Sequence, residues 1–508
     1  YNSYILIKNN FKKQKNPSEW LYSYLKYGFV FVNSKNSTVN LLEGNDISST
    51  KNKVVGVYSE GGAISNAGKI TLMGNGSSAL YSKGSGTING APGKITIGAN
   101  GSGIYVVNAG STGSNYGEIT IGAGSVGMRA ENGRIKNNST GKISSTAEKA
   151  TGMSQSGNEN LENEGTITLT GNQSVGMHSE GVTAAGHQMI NRGIITVGHS
   201  ATATSPSIGM YAANTDKTTI INNGKVIAGN KSTGIYAGNI NLIGNSETKA
   251  GNGGIAVYSK EGTVNISENS KVIVGSTLGN GQEGVGVYLA GNNQILNSDT
   301  DNLTIGKGSF GYVMTGQGNT VRTGKAGTTR KITLTHNSIF MYSADRTGTA
   351  VNYNNLRSTG DLNYGIYASG RVDNRGTIDF SQGIGNIGAY SYTKGATTTP
   401  NSIRNYGTIN VSKSDLQTNP DDRKYGIGMA AGYSEESPAG SGRKVTRGIG
   451  SIENHGLIRV TTPDSIGMYA TGKGSRIYNG PTGRIELSGR KRNIGIFAEN
   501  GAEVVNEG

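Results

Sequence analysis

A short motif centred on glycine, Ser207-Ile208-Gly209-Met210-Tyr211-Ala212, returns along the chain at nearly even intervals. Close variants are Val55-Gly56-Val57-Tyr58-Ser59, Ser102-Gly103-Ile104-Tyr105, Val126-Gly127-Met128-Arg129-Ala130, Thr233-Gly234-Ile235-Tyr236-Ala237, Gly365-Ile366-Tyr367-Ala368 and Ile466-Gly467-Met468-Tyr469-Ala470. Measured at the glycine slot, the copies lie at 56, 79, 103, 127, 152, 176, 209, 234, 256, 286, 311, 340, 365, 388, 428, 467 and 495, with Ala or Phe in place of glycine at 79, 256 and 340. The first five steps are 23, 24, 24, 25 and 24 residues. A fixed period of this size marks a solenoid, in which each repeat covers the apolar face of the next.

A second arm precedes most copies, as in Asn66-Ala67-Gly68-Lys69-Ile70-Thr71-Leu72, Asn163-Glu164-Gly165-Thr166-Ile167-Thr168-Leu169 and Asn405-Tyr406-Gly407-Thr408-Ile409-Asn410-Val411. Apolar residues alternate there with polar ones between Gly and Asn, the pattern of a strand with one buried face. No helical period is visible in the repeats. Two or three strands per repeat leave no room for a helix, and neither the leucine spacing of leucine-rich repeats nor the longer period of a propeller is present. The fold expected is all-β, a right-handed parallel β-helix with one coil per repeat.

The repeats predict one long β-helical domain over 29–508. Residues 1–28 fall outside the pattern: Asn16-Pro17-Ser18-Glu19 reads as a helix start, and Trp20, Leu21, Tyr24 and Leu25 give an apolar face ending at Gly28. A short capping helix over the open end of the solenoid is expected there. The final Val505-Asn506-Glu507-Gly508 opens another arm, so the chain reads as a piece of something longer.

Strand alternation assigns the faces. In Val126-Gly127-Met128-Arg129-Ala130 it turns residues 126, 128 and 130 inward and leaves Gly127 and Arg129 outside. Ile70/Leu72, Ile95/Ile97, Ile167/Leu169, Ile378/Phe380 and Ile485/Leu487 point inward on the second arm. The outward slot beside Met or Ile is aromatic in twelve of seventeen copies, among them Tyr58, Tyr81, Tyr105, Tyr211, Tyr236, Tyr367, Tyr390, Tyr469 and Phe497. Such a column serves as a stacking ladder, with a sugar-binding strip as the alternative. The asparagines before the second arm (Asn66, Asn115, Asn138, Asn163, Asn191, Asn222, Asn374, Asn405, Asn454) are expected to close turns and to reach the next coil.

Recognition is expected where the period lengthens, because loops leaving a rigid scaffold carry function. The longest steps, 388 to 428 and 428 to 467, contain the candidate receptor-binding residues Tyr392, Lys394, Asp421, Asp422, Arg423, Lys424, Tyr433, Arg443, Lys444 and Arg447. A further basic insertion carries Arg322, Lys325, Arg330 and Lys331.

Catalytic patterns are weak. Asp421 and Asp422 are adjacent, and side chains of neighbouring residues on an extended segment diverge. The histidines 178, 187, 199, 336 and 455 show no metal-ligand spacing. Cysteine is absent, which removes disulfides and thiolate chemistry. A net charge of +14 favours anionic partners such as acidic glycans or cell surfaces. Nucleic acid is not expected, since no dense basic stripe with interleaved aromatics occurs. No cofactor or metal is expected, and a monomer is.

The pairing of Asn-x-Gly-x-Ile-x-Ile/Val with Ser-Ile/Val-Gly-Met-Tyr-Ala resembles the passenger repeats of large type V autotransporter adhesins, especially the long fusobacterial ones, from about residue 50 to 508. That group includes an arginine-inhibitable and a galactose-binding adhesin, which tie the bacterium to other bacteria and to host cells. The resemblance implies a surface adhesin carried by a C-terminal outer-membrane β-barrel, with a glycan or protein receptor. It carries over no binding residues. A polysaccharide lyase or hydrolase and a passive spacer stand as alternatives.

Overall fold

Each coil contains three strands, because three short alternating runs are separated by turns that Gly and Asn permit. In one coil Val54–Glu60 forms a first face, Ile64–Asn66 a second and Lys69–Leu72 a third, after which Ser78–Lys83 begins the next first face. Equivalent strands pair in parallel and in register: Val55 with Ser78, Ile64 with Thr87, Ile70 with Ile95. The computed structural model describes residues 29–508 except 397, 399–400, 418–422 and 489–491. The expected cap within 1–28 lies outside the described residues. Among those residues there is no helix, and the chain is a parallel β-solenoid.

Contacts divide the chain into two compact units, one running to Asn241 with Ser246–Thr248, the other comprising Leu242–Asn245 and Lys249 onward. In the first unit, Met128, Met153, Met177 and Met210 stack in register with no exposure. Ile70, Leu72, Ile95, Ile97, Ile167 and Leu169 are buried opposite them. In the second unit the third face is two separate sheets: Lys271–Val274 pairs with Leu303–Ile305, and a new series begins at Lys331–Leu334. Ile378 and Phe380 are buried within it. Leu487 is 51% exposed and Ile485 half-buried, because their strand pairs on one side only, with Leu457–Val460.

The alternation expected across the glycine motif fails in one respect. Gly127 is buried, not outward, and Val126 is only half-buried. The ladder skips the glycine, with Val126 opposite Thr151 and Met128 opposite Met153. Two successive residues therefore turn inward where the strand bends against the third face. A Cβ on Gly127 would stand 2.5 Å from Ile143 Cγ2 and 2.6 Å from the Gly152 carbonyl oxygen. Glycine recurs because the coil spacing and the third-face isoleucines crowd the slot, and only three of the seventeen copies fill it with a side chain, the fully buried Ala79, Ala256 and Phe340.

Buried asparagines form the other constant. In the first unit, Asn66 Nδ2 donates to Asn89 Oδ1, Asn89 to Asn115, Asn115 to Asn137 and Asn137 to Asn163, each at 2.8 Å. Asn163 and Asn191 continue to Asn222. In the second unit the same chain runs Asn352, Asn374, Asn405, Asn454, Asn479 and Asn506 at 2.8–2.9 Å. The spare amide proton of Asn374 goes to the Gly376 carbonyl at 3.0 Å, so one side chain closes the turn and joins the coils. Asn138 is not in the column; its neighbour Asn137 is, because Asn137 ends the second-face strand and Asn138 begins the turn.

Three substitutions check this account by chemical denaturation of the second unit. Gly388→Ala would bring a Cβ to 2.5 Å from the Gly428 carbonyl and 2.7 Å from Ile409 Cγ2, and should lower the unfolding free energy by about 1–3 kcal/mol. Gly279→Ala, with open space around it, should change it little. Asn374→Ala strands a donor on Asn352 and an acceptor on Asn405, at a cost of about 1–3 kcal/mol for each buried group left unpaired.

Candidate functional site

The corner between the first and second faces carries two long excursions of the second unit, the one at 432–450 being the longest between its coil strands. After Ser391 the chain leaves the coil and returns at Ile403; after Ala431 it leaves again and returns at Ser451. Thr393–Lys394 from the first excursion joins Tyr433–Glu436 and Lys444–Ile449 from the second in a three-stranded antiparallel sheet. The pairs are Thr393 with Ile449, Lys394 with Gly448, Glu435 with Val445 and Glu436 with Lys444. Hairpin formation follows from the turn residues Pro438-Ala439-Gly440, with Gly440 and Gly442 at positive φ, and from Val445, Thr446 and Ile449 on the returning strand.

This sheet sits at the edge of a tyrosine cluster. Tyr367 and Tyr390 occupy the outward slot of consecutive first-face strands, with ring centroids 4.9 Å apart. Tyr364 lies 5.9 Å from Tyr367, Tyr392 stacks on Tyr390 at 5.9 Å, and Tyr433 meets Tyr392 edge-on at 6.2 Å. Burial raises the phenol pKa of Tyr364, Tyr367 and Tyr390, and the neighbouring phenols raise the last two further. Tyr364, Tyr367, Tyr390 and Tyr392 are half-buried, and Tyr433 at the end of the row is 44% exposed. The same slot breaks elsewhere: it holds Arg129, Ser154 and His178 in the first unit, Val313 and Ala430 in the second. Arg129 keeps the column closed by lying over Tyr105, 5.1 Å from its centroid.

Charge on the sheet is ordered. Arg447 Nε donates to Glu435 Oε1 at 2.6 Å, and the Tyr433 hydroxyl donates to Glu435 Oε2 at 3.2 Å. The Arg447 guanidinium beside Glu435 lowers its carboxyl pKa, while partial burial and that carboxylate raise the Tyr433 phenol. Arg346 from an earlier coil donates to the Lys394 carbonyl at 3.2 Å. Arg443 and Lys444 are exposed on the hairpin.

Six of the expected residues, Tyr392, Lys394, Tyr433, Arg443, Lys444 and Arg447, thus share one small sheet. Arg423 and Lys424 do not join it. They belong to a loop at the opposite end of the first-face strand Ile427–Ala431, where Lys424 and Asp415 exchange backbone hydrogen bonds at 2.9 and 2.8 Å. Five residues at ~3.3 Å each put about 16 Å between the two corners. Asp421 and Asp422 lie outside the described residues. Tyr364 was not singled out by sequence; the signal was an aromatic immediately before Gly365, a position normally held by Ser, Val or Ile.

Half-buried, stacked phenols with an ordered guanidinium–carboxylate pair suit a planar, hydroxyl-rich ligand held by ring faces and hydrogen bonds. Among the described residues, no group of three or more His, Cys, Asp or Glu is placed to hold a metal.

A β-helix of this kind has a family counterpart. Residues 226–508, more than half of the chain, match the BigA third pectate lyase-like domain. The chain belongs to the BigA pectate lyase-like domain family. Residues 144–239 match the BigA fourth domain in addition. Comparisons with curated proteins and with solved structures give no match. Membership in the BigA family agrees with the parallel coils observed, and describes a passenger-like β-helical protein.

The tyrosine cluster has an alkaline signature. Phenols held above their ordinary pKa of 10.0 stay neutral in the folded protein after the unfolded chain has ionised. Their contribution is complete below pH 10 and is lost as pH rises towards the folded values. Tyrosinate absorbance should therefore show a late-titrating group of phenols that vanishes in denaturant. Tyr390→Phe should shrink that group.

Proposed function

We propose that this BigA-family protein is an exported surface passenger that binds a glycan receptor on a host cell or partner bacterium. The tyrosine-edged sheet built from Tyr392, Tyr433 and the 433–449 hairpin is the receptor-binding surface. The observation that carries this reading is the row Tyr364, Tyr367, Tyr390, Tyr392 and Tyr433, which ends in an exposed ring beside an ordered Arg447–Glu435 pair. Aromatic rings give a sugar large contact area at little entropic cost, and the hairpin's Arg443 and Lys444 extend contact to acidic groups. The resemblance to type V autotransporter adhesins supports attachment through a C-terminal β-barrel in the outer membrane of a Gram-negative bacterium. The protein acts as a monomer on this reading.

The pectate lyase-like family name favours a second reading, cleavage of an acidic polysaccharide. Such an enzyme needs a base and a charge-stabilising group converging on one substrate. On the hairpin the carboxylate Glu435 is already engaged by Arg447 and Tyr433, which supports binding without turnover.

Binding of the purified protein to a glycan array, attachment to cells and release of new reducing ends should be measured together. Tyr392→Ala with Tyr433→Ala should weaken binding and attachment tenfold or more, and removal of residues 414–423 should leave both unchanged. Sugar release at catalytic rates would establish the enzyme instead. Undiminished attachment after removal of 433–447 would make this segment a spacer.

A further inference from the structure

A different corner of the second unit, between the second and third faces, holds a cavity of about 310 Å3. Its walls are Tyr353, Arg375 and Tyr406, which follow the column asparagines of three consecutive coils, and the inserted loop at Ala326, Gly327 and Thr328. This loop enters where the third face is interrupted between Leu303–Ile305 and Lys331–Leu334. It is tied down from both sides. Thr328 Oγ1 donates to Asp301 at 2.8 Å, and Asn355 Nδ2 donates to the Thr328 carbonyl at 2.7 Å. The Asn355 side chain is fixed in turn by the Thr377 amide, which donates to its Oδ1 at 2.8 Å.

The charge at this cavity is unusual for the neighbourhood. Arg322 pairs with Asp299, Arg330 with Asp301, Arg371 with Asp373 and Arg404 with Glu453. Arg375 is exposed and, among the described residues, has no carboxylate partner. Its guanidinium carbon lies over Tyr406, 4.9 Å from the ring centroid, and His455 stacks on Tyr406 at 5.1 Å. The ring contact restrains the guanidinium, and no carboxylate among the described residues takes up its N–H donors. Tyr353, half-buried in the wall, has no ring or guanidinium packed on it among the described residues. The Thr377 hydroxyl can donate and accept, Thr328 Oγ1, whose proton goes to Asp301, can still accept, and Asn355 keeps a second amide proton beyond the one given to the Thr328 carbonyl.

We infer that this cavity is a binding site for one pyranose ring bearing a carboxylate, with Arg375 holding the carboxylate, Tyr353 facing the ring, and Thr377, Asn355 and Thr328 contacting its hydroxyls. An edge-on guanidinium matches a carboxylate with two parallel hydrogen bonds. The volume lies at the lower end of ligand sites, about 300–1,000 Å3, which is room for one ring. The site is independent of the tyrosine-edged hairpin, which stands at another corner of the coil.

D-galacturonate and D-galactose share a ring and differ at the carboxylate, so titration of the full chain with each, followed by calorimetry or ligand-observed NMR, tests the assignment. Galacturonate should bind at least tenfold more tightly than galactose. Arg375→Gln should bring it down to the galactose level, and Ala326→Trp, which fills the cavity, should abolish binding of both. Lys271→Gln, an exposed cation elsewhere in the unit, should leave galacturonate binding unchanged. Equal affinity for the two sugars, no binding of galacturonate, or binding that survives Arg375→Gln in a variant with unaltered circular dichroism would each overturn the inference.

Discussion

A carboxamide sealed inside a protein must satisfy both of its ends, and that requirement governs this structure. Each buried Asn of the column has one proton for the turn that follows it and one for the carbonyl oxygen of the Asn in the next coil. The geometry is met only when successive coils are in register to within a fraction of an ångström. The parallel strand ladders and the apolar stacks could tolerate a slip that preserved alternation; the amide chain could not, because a slip by one residue or two would bury unpaired donors and acceptors. Register is therefore set by the polar column in the coils from Asn66 to Asn222 and from Asn352 to Asn506, whereas Ile266, Ser298 and Thr323 hold that slot in intervening coils; apolar stacking supplies the bulk of the stabilisation throughout.

The regularity of the coils frees the corners. A turn that leaves after the first face can grow to a hairpin, as at 433–449, without disturbing the strands above and below it, since its two ends are clamped by Ala431 and Ser451. The loop at 326–328 leaves from another corner and costs one interruption of the third face, with the other two faces continuous through the same coils. Both excursions sit beside aromatic positions that the repeat provides anyway. The scaffold thus offers rows of rings, and the loops decide which members become accessible.

Much of this was legible in the sequence because a repeat displays its constraints many times. The glycine motif gave the coil length, and Ile70/Leu72 and its equivalents gave the inward rows. What escaped was geometry that alternation alone does not encode. Gly127 was placed outward because period two requires it, whereas the strand bends there and turns Gly127 and Met128 inward together. Asn138 was preferred to Asn137 because both stand at the turn, and only the hydrogen-bond chain separates them. At the site, sequence located the hairpin residues but grouped Arg423 and Lys424 with them. Proximity in the chain concealed that a whole first-face strand lies between the two loops.

The amide columns also have a sense of travel. Every Asn passes its proton towards the coil that follows, so the bond dipoles add in one direction through each unit. A coil approaching with its polarity reversed would meet amine with amine, or oxygen with oxygen. Growth of the solenoid is thereby made vectorial: a nascent segment can dock on a finished coil in a single orientation, and head-to-head pairing of two such edges is disfavoured by the same atoms that hold the interior together.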